Sequence, residues 1–303
     1  MQATTPPGAA VPATMRGSEH RFGLSCATIT PFSRNGSVDV PRLISHLHRC
    51  LGDGCDSFTL FGSTGEGASV GSSERNLVLE SAIDTFGGDK VLVGVTASAP
   101  EDAAAQANPL FDAGGRGALL APPFYFKGVD DEGLYAWFAR AIEAMHAPRG
   151  VFLYHIPSVT QVRLSSALIG RVKQAFPGVI AGVKDSGGEW SYTEELLAAH
   201  ADLHILVGDE RLLARAMRHG ASGAINGFSN FCAARLRPLI ERGAEDPGLS
   251  ALVDLLLQYP VTPSIKAVVA HVTQDDNYAR AAPPLVTLGG ADAAKLVAAF
   301  EAL

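Results

Sequence analysis

The sequence contains no Cys-x-x-Cys pair. Its four cysteines, Cys26, Cys50, Cys55 and Cys232, form no Cys/His cluster with zinc-ligand spacing, which excludes a zinc ribbon or a dithiol redox centre. Cys50 and Cys55 flank Leu-Gly-Asp-Gly, the composition of a helix end rather than a metal knuckle. All four are expected to be reduced and to behave as small hydrophobes. No apolar run approaches the roughly 18 residues needed to cross a bilayer, which excludes a helical membrane protein. Positive charge is in the minority, 24 basic against 31 acidic residues for a formal charge of −7. A protein built to coat nucleic acid or an anionic membrane is thereby excluded, although a local site for a small anion is not. The first 20 residues lack the apolar core of a secretory signal. They are expected to form a flexible tail, or to reflect an upstream start with Met15 as an alternative initiator. Reduced thiols and no signal together imply a cytoplasmic location.

Apolar side chains make up 47% of the chain, a globular composition, and glycine is plentiful at 32 residues. So many glycines imply several tight turns or close backbone approaches. From residue 22 onward one rhythm repeats: a short aliphatic run, a turn, then an amphipathic stretch. Strands are expected at Phe22–Thr30, Ser57–Phe61, Val91–Val95, Ala118–Ala121, Val151–His155, Val179–Lys184, Leu203–Val207 and Gly223–Asn226. The continuous apolar runs suit a parallel sheet covered on both faces. Helices are expected at Pro41–Gly52, Glu74–Phe86, Asp102–Ala113, Glu132–Ala144 and Ser165–Phe176. An open doubly wound sheet is disfavoured, because no Gly-x-Gly-x-x-Gly follows the first strand. Eight strands alternating with helices predict an α/β fold, a (β/α)₈ TIM barrel over residues 21–230. A C-terminal helical region over residues 231–303 is expected to follow, with helices at Cys232–Arg242, Leu249–Leu257, Thr262–Val272 and Ala291–Ala302.

In such a barrel the chemistry sits at the C-terminal ends of the strands. Three ends carry polar side chains. Lys184 ends the apolar run Val179-Ile-Ala-Gly-Val183. At the barrel mouth desolvation disfavours an ammonium, which makes a lysine a nucleophile toward a carbonyl. A lysine that reaches solvent or pairs with Asp185 is the plainer reading. Gly62-Ser-Thr-Gly-Glu66 suits an anion cradle, with Gly62 and Gly65 allowing close backbone approach and Ser63 and Thr64 donating hydroxyls. It lacks the Gly-Lys-Ser/Thr ending of a nucleotide loop, and a plain tight turn is the alternative. Tyr154 shares strand parity with Phe152, so its phenol either enters the barrel as a proton shuttle or serves as a core tyrosine. His155 has the opposite parity and reads as structural.

With these segments the sequence resembles the dihydrodipicolinate synthase / N-acetylneuraminate lyase family of Schiff-base lyases, over roughly residues 22–300. The resemblance extends to Tyr154-x-Ile-Pro157, Gly182-Val-Lys-Asp-Ser186, Gly208-Asp209-Glu210, Gly220–Asn226 with Asn230, and Pro263-Ser-Ile-Lys-Ala267. It implies that Lys184 forms an imine with pyruvate or a related 2-oxo acid. Ser63 and Thr64 would hold the carboxylate, Ser63 and Tyr154 would relay protons, and a second tyrosine, Tyr125, would come from a neighbouring subunit of a homotetramer. Ile225, Gly62 and Gly65 would also meet the substrate. No metal or organic cofactor is implied, and the partners are a 2-oxo acid and an aldehyde.

Lysine-biosynthesis members carry an arginine two residues after the tyrosine motif's proline. Here that position is Val159, and Gln161 replaces a usual glycine. Ser63, in place of a threonine, resembles the sialic-acid lyases, in which acids at the positions of Asp209 and Glu210 contact sugar hydroxyls. A capping pair is the plainer reading of those two acids. The resemblance favours an aldolase or dehydratase acting on a hydroxylated 2-oxo acid. The alternatives are an authentic dihydrodipicolinate synthase, a non-catalytic 2-oxo-acid-binding paralogue and a phosphate-binding barrel isomerase.

Overall fold

The structure, a computed structural model, describes residues 21–303; the expected N-terminal tail lies outside them. Eight parallel strands close into a barrel in chain order. They are β1 (Gly23–Ala27), β2 (Ser57–Leu60), β3 (Val91–Val95), β4 (Gly117–Leu120), β5 (Val151–His155), β6 (Ile180–Asp185), β7 (His204–Val207) and β8 (Gly223–Asn226). The seam pairs β1 with β8 from Gly23↔Gly223 to Cys26↔Asn226. The barrel helices are α1 (Val40–Gly52), α2 (Ser72–Phe86), α3 (Pro100–Asp112), α4 (Asp131–Glu143), the single turn α5 (Pro157–Thr160), α6 (Ser166–Ala175), α7 (Trp190–Ala199) and α8 (Glu210–Arg218). The C-terminal helices are α9 (Ser229–Arg242), α10 (Pro247–Leu257), α11 (Val261–Thr273) and α12 (Gly290–Glu301).

Period-two alternation divides each strand between two cores. Leu92, Leu119, Phe152, Leu206 and Ile225 fill the barrel interior. Val93, Val95, Leu120, Leu153 and Val183 face the helices, in a cluster that also takes in Leu252, Val253 and Leu256 of α10 and Ile265 of α11. Because β1 stops at Ala27, the expected strand through Thr30 is shorter than its β-branched sequence suggests. Thr28 and Thr30 instead spend their hydroxyls on the Cys26 and Gly65 carbonyls. The helix read from Cys232 is preceded by a turn that starts at Ser229, and the two join at a kink where Cys232 leaves helical geometry at φ −145°. Local chemistry fixes the helix starts: Asp39, Asp130, Ser165, Asp209 and Asp246 each accept a first-turn backbone N–H at the start of α1, α4, α6, α8 and α10. Cys26, Cys50 and Cys55 are buried and Cys232 half-buried, all as free thiols. No helix among the described residues is long and apolar enough to cross a membrane.

Candidate active site

Strand register brings the two sharpest residues together. β5 and β6 pair so that Tyr154 lies opposite Lys184, and both side chains enter the barrel mouth. Lys184 Nζ donates to Tyr154 Oη at 3.3 Å and sits 4.4 Å from the centre of its ring. Both residues are at least 95% buried. Asp185, the obvious counter-ion by sequence, faces the other way. Its carboxylate accepts from Thr193 Oγ1 at 2.6 Å and from Gly187 N at 2.9 Å, and burial pushes its pKa up. Among the described residues Lys184 makes no salt bridge. His155 turns outward, stacked 4.1 Å from the Tyr192 ring and accepting from Leu164 N. Burial lowers its pKa to about 4, so it is a neutral structural ring near pH 7.

The turn after β2 supplies the opposite side. Tyr154 Oη stands 3.5 Å from Ser63 Oγ, a long contact of the kind that tightens when a ligand closes the site. Phe61 and Glu66 bound the turn in left-handed conformations, φ 60° and 54°, which is unusual for residues with side chains. Its close packing explains one glycine: a Cβ at Gly65 would lie 2.7 Å from the Thr28 carbonyl oxygen. Inside the turn, Glu66 N–H and Gly67 N–H return to the Ser63 and Gly62 carbonyls. The Ser63 and Thr64 N–H groups make no such bond among the described residues.

A cavity of about 420 Å³ opens onto these groups. Ser63, Thr64, Tyr154 and Lys184 line one side, and Asp209, Glu210 and Asn226 lie on the β7–β8 side. Asp209 caps α8 and is held by Arg211 (2.7 Å), which also reaches Asp254 at 3.0 Å. Capping and cavity lining therefore coincide in this residue. Glu210 is buried and accepts weakly from Phe228 N at 3.3 Å. Burial pushes its pKa up to about 7, opposed by backbone hydrogen bonding and reinforced by the charge of Asp209.

Val159 borders the cavity, 62% exposed, with no cation in the place of the family's arginine. Gln161 follows at φ 57°, left-handed geometry that a glycine would adopt without strain.

The other sequence-derived residues fall elsewhere. Gly62 lines a neighbouring, mainly apolar cavity of about 370 Å³ that shares Ser63 and Tyr154 with the first. Gly65 and Ile225 do not line the main cavity: Gly65 is packed on the β1 loop, and Ile225 is fully buried in the barrel interior. Tyr125 does not reach the site within its own chain. It is 73% exposed, edge-to-face with the equally exposed Phe126. Sequence reasoning missed the walls supplied by α10 and α11, where Leu256, Thr262 and Ile265 face the cavity, because no local signal directs these helices across the barrel mouth. It also assigned no role to Asn226 or Arg211.

Comparison with known proteins agrees with this architecture. The sequence profile described as the dihydrodipicolinate synthetase family matches residues 21–302. The chain belongs to this family. It is 32% identical over 287 residues to a DapA-like lyase of Chloroflexus aurantiacus, covering 92% of this chain and 96% of the relative. The crystal structure of dihydrodipicolinate synthase from Agrobacterium tumefaciens str. C58 superposes with a TM-score of 0.91 at 48% identity, over 93% of this chain and 99% of that one. A 2-keto-3-deoxygluconate aldolase variant of Sulfolobus solfataricus shares the fold at a TM-score of 0.81 and 21% identity, over 92% and 95% of the two chains. As a member of the dihydrodipicolinate synthetase family, the protein is a lyase on an eight-stranded barrel.

Proposed function

We propose that this lyase works through a Schiff base on Lys184. The observation that carries the reading is a buried lysine amine with no carboxylate partner among the described residues, 3.3 Å from a phenol at the mouth of a cavity. The amine adds to the keto carbon of pyruvate or a related 2-oxo acid, and the carbinolamine loses water to give the imine. Ser63 and Thr64 hold the carboxylate through hydroxyls and backbone N–H groups. Tyr154 gives a proton to the departing hydroxyl and recovers one later, with Ser63 as the next member of the relay. For a 4-hydroxylated substrate, the 4-hydroxyl then loses its proton as the bond between carbons 3 and 4 breaks, an aldehyde leaves, and the imine takes up the electron pair as an enamine. Protonation at carbon 3 gives the pyruvate imine, whose hydrolysis releases pyruvate and returns the amine. Run in reverse, the same steps condense an aldehyde; loss of a neighbouring hydroxyl instead gives dehydration. None of these steps calls on a metal or organic cofactor.

The substrate class is a hydroxylated 2-oxo acid of the sugar-acid or hydroxy-oxoglutarate type. Asp209 and Glu210 supply acceptors for hydroxyls on the β7–β8 side. With Val159 at the rim and Arg211 already held by two aspartates, a second substrate carboxylate finds no free guanidinium there, which ranks the sugar-acid type ahead of a hydroxy-oxoglutarate, itself a dicarboxylate. The 48% identity to a dihydrodipicolinate synthase favours a second reading, condensation of pyruvate with aspartate semialdehyde. The exposed pair Tyr125 and Phe126 suits burial against another copy, and we propose a homotetramer in which Tyr125 of one subunit completes its neighbour's relay.

The test is borohydride trapping with pyruvate, followed by intact mass and peptide mapping. The expected result is a single adduct on Lys184, absent from Lys184→Ala. A folded protein with no adduct overturns the mechanism. Robust turnover of aspartate semialdehyde would instead favour the second reading.

A further inference from the structure

Glu66 closes the turn that carries Ser63 and Thr64, but its side chain points away from the reacting groups and into protein. It is ion-paired with Lys266 of α11, and both side chains are completely buried. Each charge is also held by backbone. Lys266 Nζ donates to the Thr30 carbonyl at 2.8 Å and lies 4.5 Å from the centre of the Phe32 ring. Glu66 accepts from Ala282 N at 2.7 Å. Burial lowers the Lys266 pKa, and the Glu66 charge opposes that shift.

A pair in this position is a poor device for stability alone. Two ions removed from water carry desolvation costs that well-packed apolar side chains avoid. What the pair does provide is geometry, since it joins three segments distant in sequence at the back of the turn. Around it the turn's carbonyls are held as well: Thr30 Oγ1 donates to Gly65 O at 2.6 Å, and Thr262 Oγ1, one helical turn before Lys266, contacts Ser63 O at 3.4 Å. With these carbonyls held, Ser63 and Thr64 line the cavity with backbone N–H groups that make no backbone hydrogen bond among the described residues.

We infer that Glu66 and Lys266 are positioning residues that set the site's affinity for the substrate carboxylate without touching it. The inference rests on the assignment of Ser63 and Thr64 as carboxylate holders. It makes the C-terminal helices part of 2-oxo-acid recognition. Geometry and simple charge predict different signs. If the pair acted as a charge pair only, Glu66→Gln would leave an uncompensated cation behind the turn and tighten anion binding. If it acts by position, every disruption loosens binding.

The experiment measures borohydride trapping on Lys184 as a function of pyruvate concentration, for wild type, E66Q and the double variant E66Q/K266M. Folding is checked by circular dichroism and thermal melting. The expected result is a rise of about tenfold or more in half-saturating pyruvate for the double variant and of several-fold for E66Q. The limiting trapping rate at saturation should change less than about threefold. An unchanged half-saturation in the folded double variant would overturn the inference, because the pair then only packs. Tighter binding by E66Q would overturn it in favour of charge. Should the double variant not fold, E66Q alone decides by the same criteria. Failure of wild type to form any adduct would instead remove the Schiff-base reading itself, which keeps the two failures distinct.

Discussion

Asp185 follows Lys184 directly in sequence, yet the two side chains leave β6 on opposite faces. Alternation along the strand sends the carboxylate outward to Thr193 and Gly187 N and the amine inward to Tyr154. The lysine thereby avoids the counter-ion that would hold it as a tightly paired ammonium. A one-residue slip of β6 would exchange the two faces.

The Lys184–Tyr154 contact places one phenol at imine formation and at the later proton transfers alike. Tyr154→Phe is expected to slow pyruvate-dependent trapping on Lys184, because carbinolamine dehydration loses its acid, and to lower turnover of a cleavable 2-oxo acid by about 10²–10⁴-fold, the range typical of a lost general acid–base group. Steady-state kinetics beside the trapping assay check this. Turnover within a few-fold of wild type would remove Tyr154 from the relay.

Glu210 links stability to pH. An unfolded glutamate titrates near its ordinary value of about 4.3, whereas the buried side chain titrates at about 7. Between those values the folded state holds the extra proton, so stability is fullest below the lower value and is lost as pH rises through 7. The span corresponds to about 4 kcal/mol. Glu210→Gln keeps the acceptor for Phe228 N and removes the titration. Its melting temperature is expected to exceed wild type by several degrees at pH 8 and to converge with it near pH 4. Parallel pH curves for the two proteins would refute the assignment.

Gln161 tests backbone strain at the cavity rim. Its φ of 57° is tolerated by a residue branching beyond Cβ, at a cost. Gln161→Val is expected to destabilise by about 1–2 kcal/mol, the left-handed penalty for an L-residue increased by β-branching. Gln161→Gly is expected to stay within about 1 kcal/mol of wild type, since relief of strain is offset by greater unfolded-state freedom. Denaturant midpoints measure both, and a valine variant as stable as the glycine one would contradict the conformational account.

The barrel was readable because each strand is a short apolar run bounded by turns, so the strand count needs no knowledge of tertiary contacts. Lys184 stood out for the same reason, as a charge ending an apolar run. The helices α7 and α8, Trp190–Ala199 and Glu210–Arg218, are in contrast absent from the sequence reading, although α6, of similar length, is in it. The Glu66–Lys266 pair was visible as two motif residues but not as a pair. Its members lie 200 positions apart, and only the path of α11 across the barrel mouth brings them together. The roles of Gly65 and Ile225 were blurred by the same limit: strand-end position is legible, whereas which atoms reach the cavity depends on packing.

The order of synthesis gives the α11 wall a temporal meaning. Lys184 leaves the ribosome about 80 residues ahead of Lys266, some 4–16 s earlier at ordinary elongation rates of about 5–20 residues per second. During that interval all the strands can pair, but the turn behind Ser63 and Thr64 still lacks its anchor. The nascent chain therefore carries its amine before it carries the helix that walls the cavity and anchors the turn.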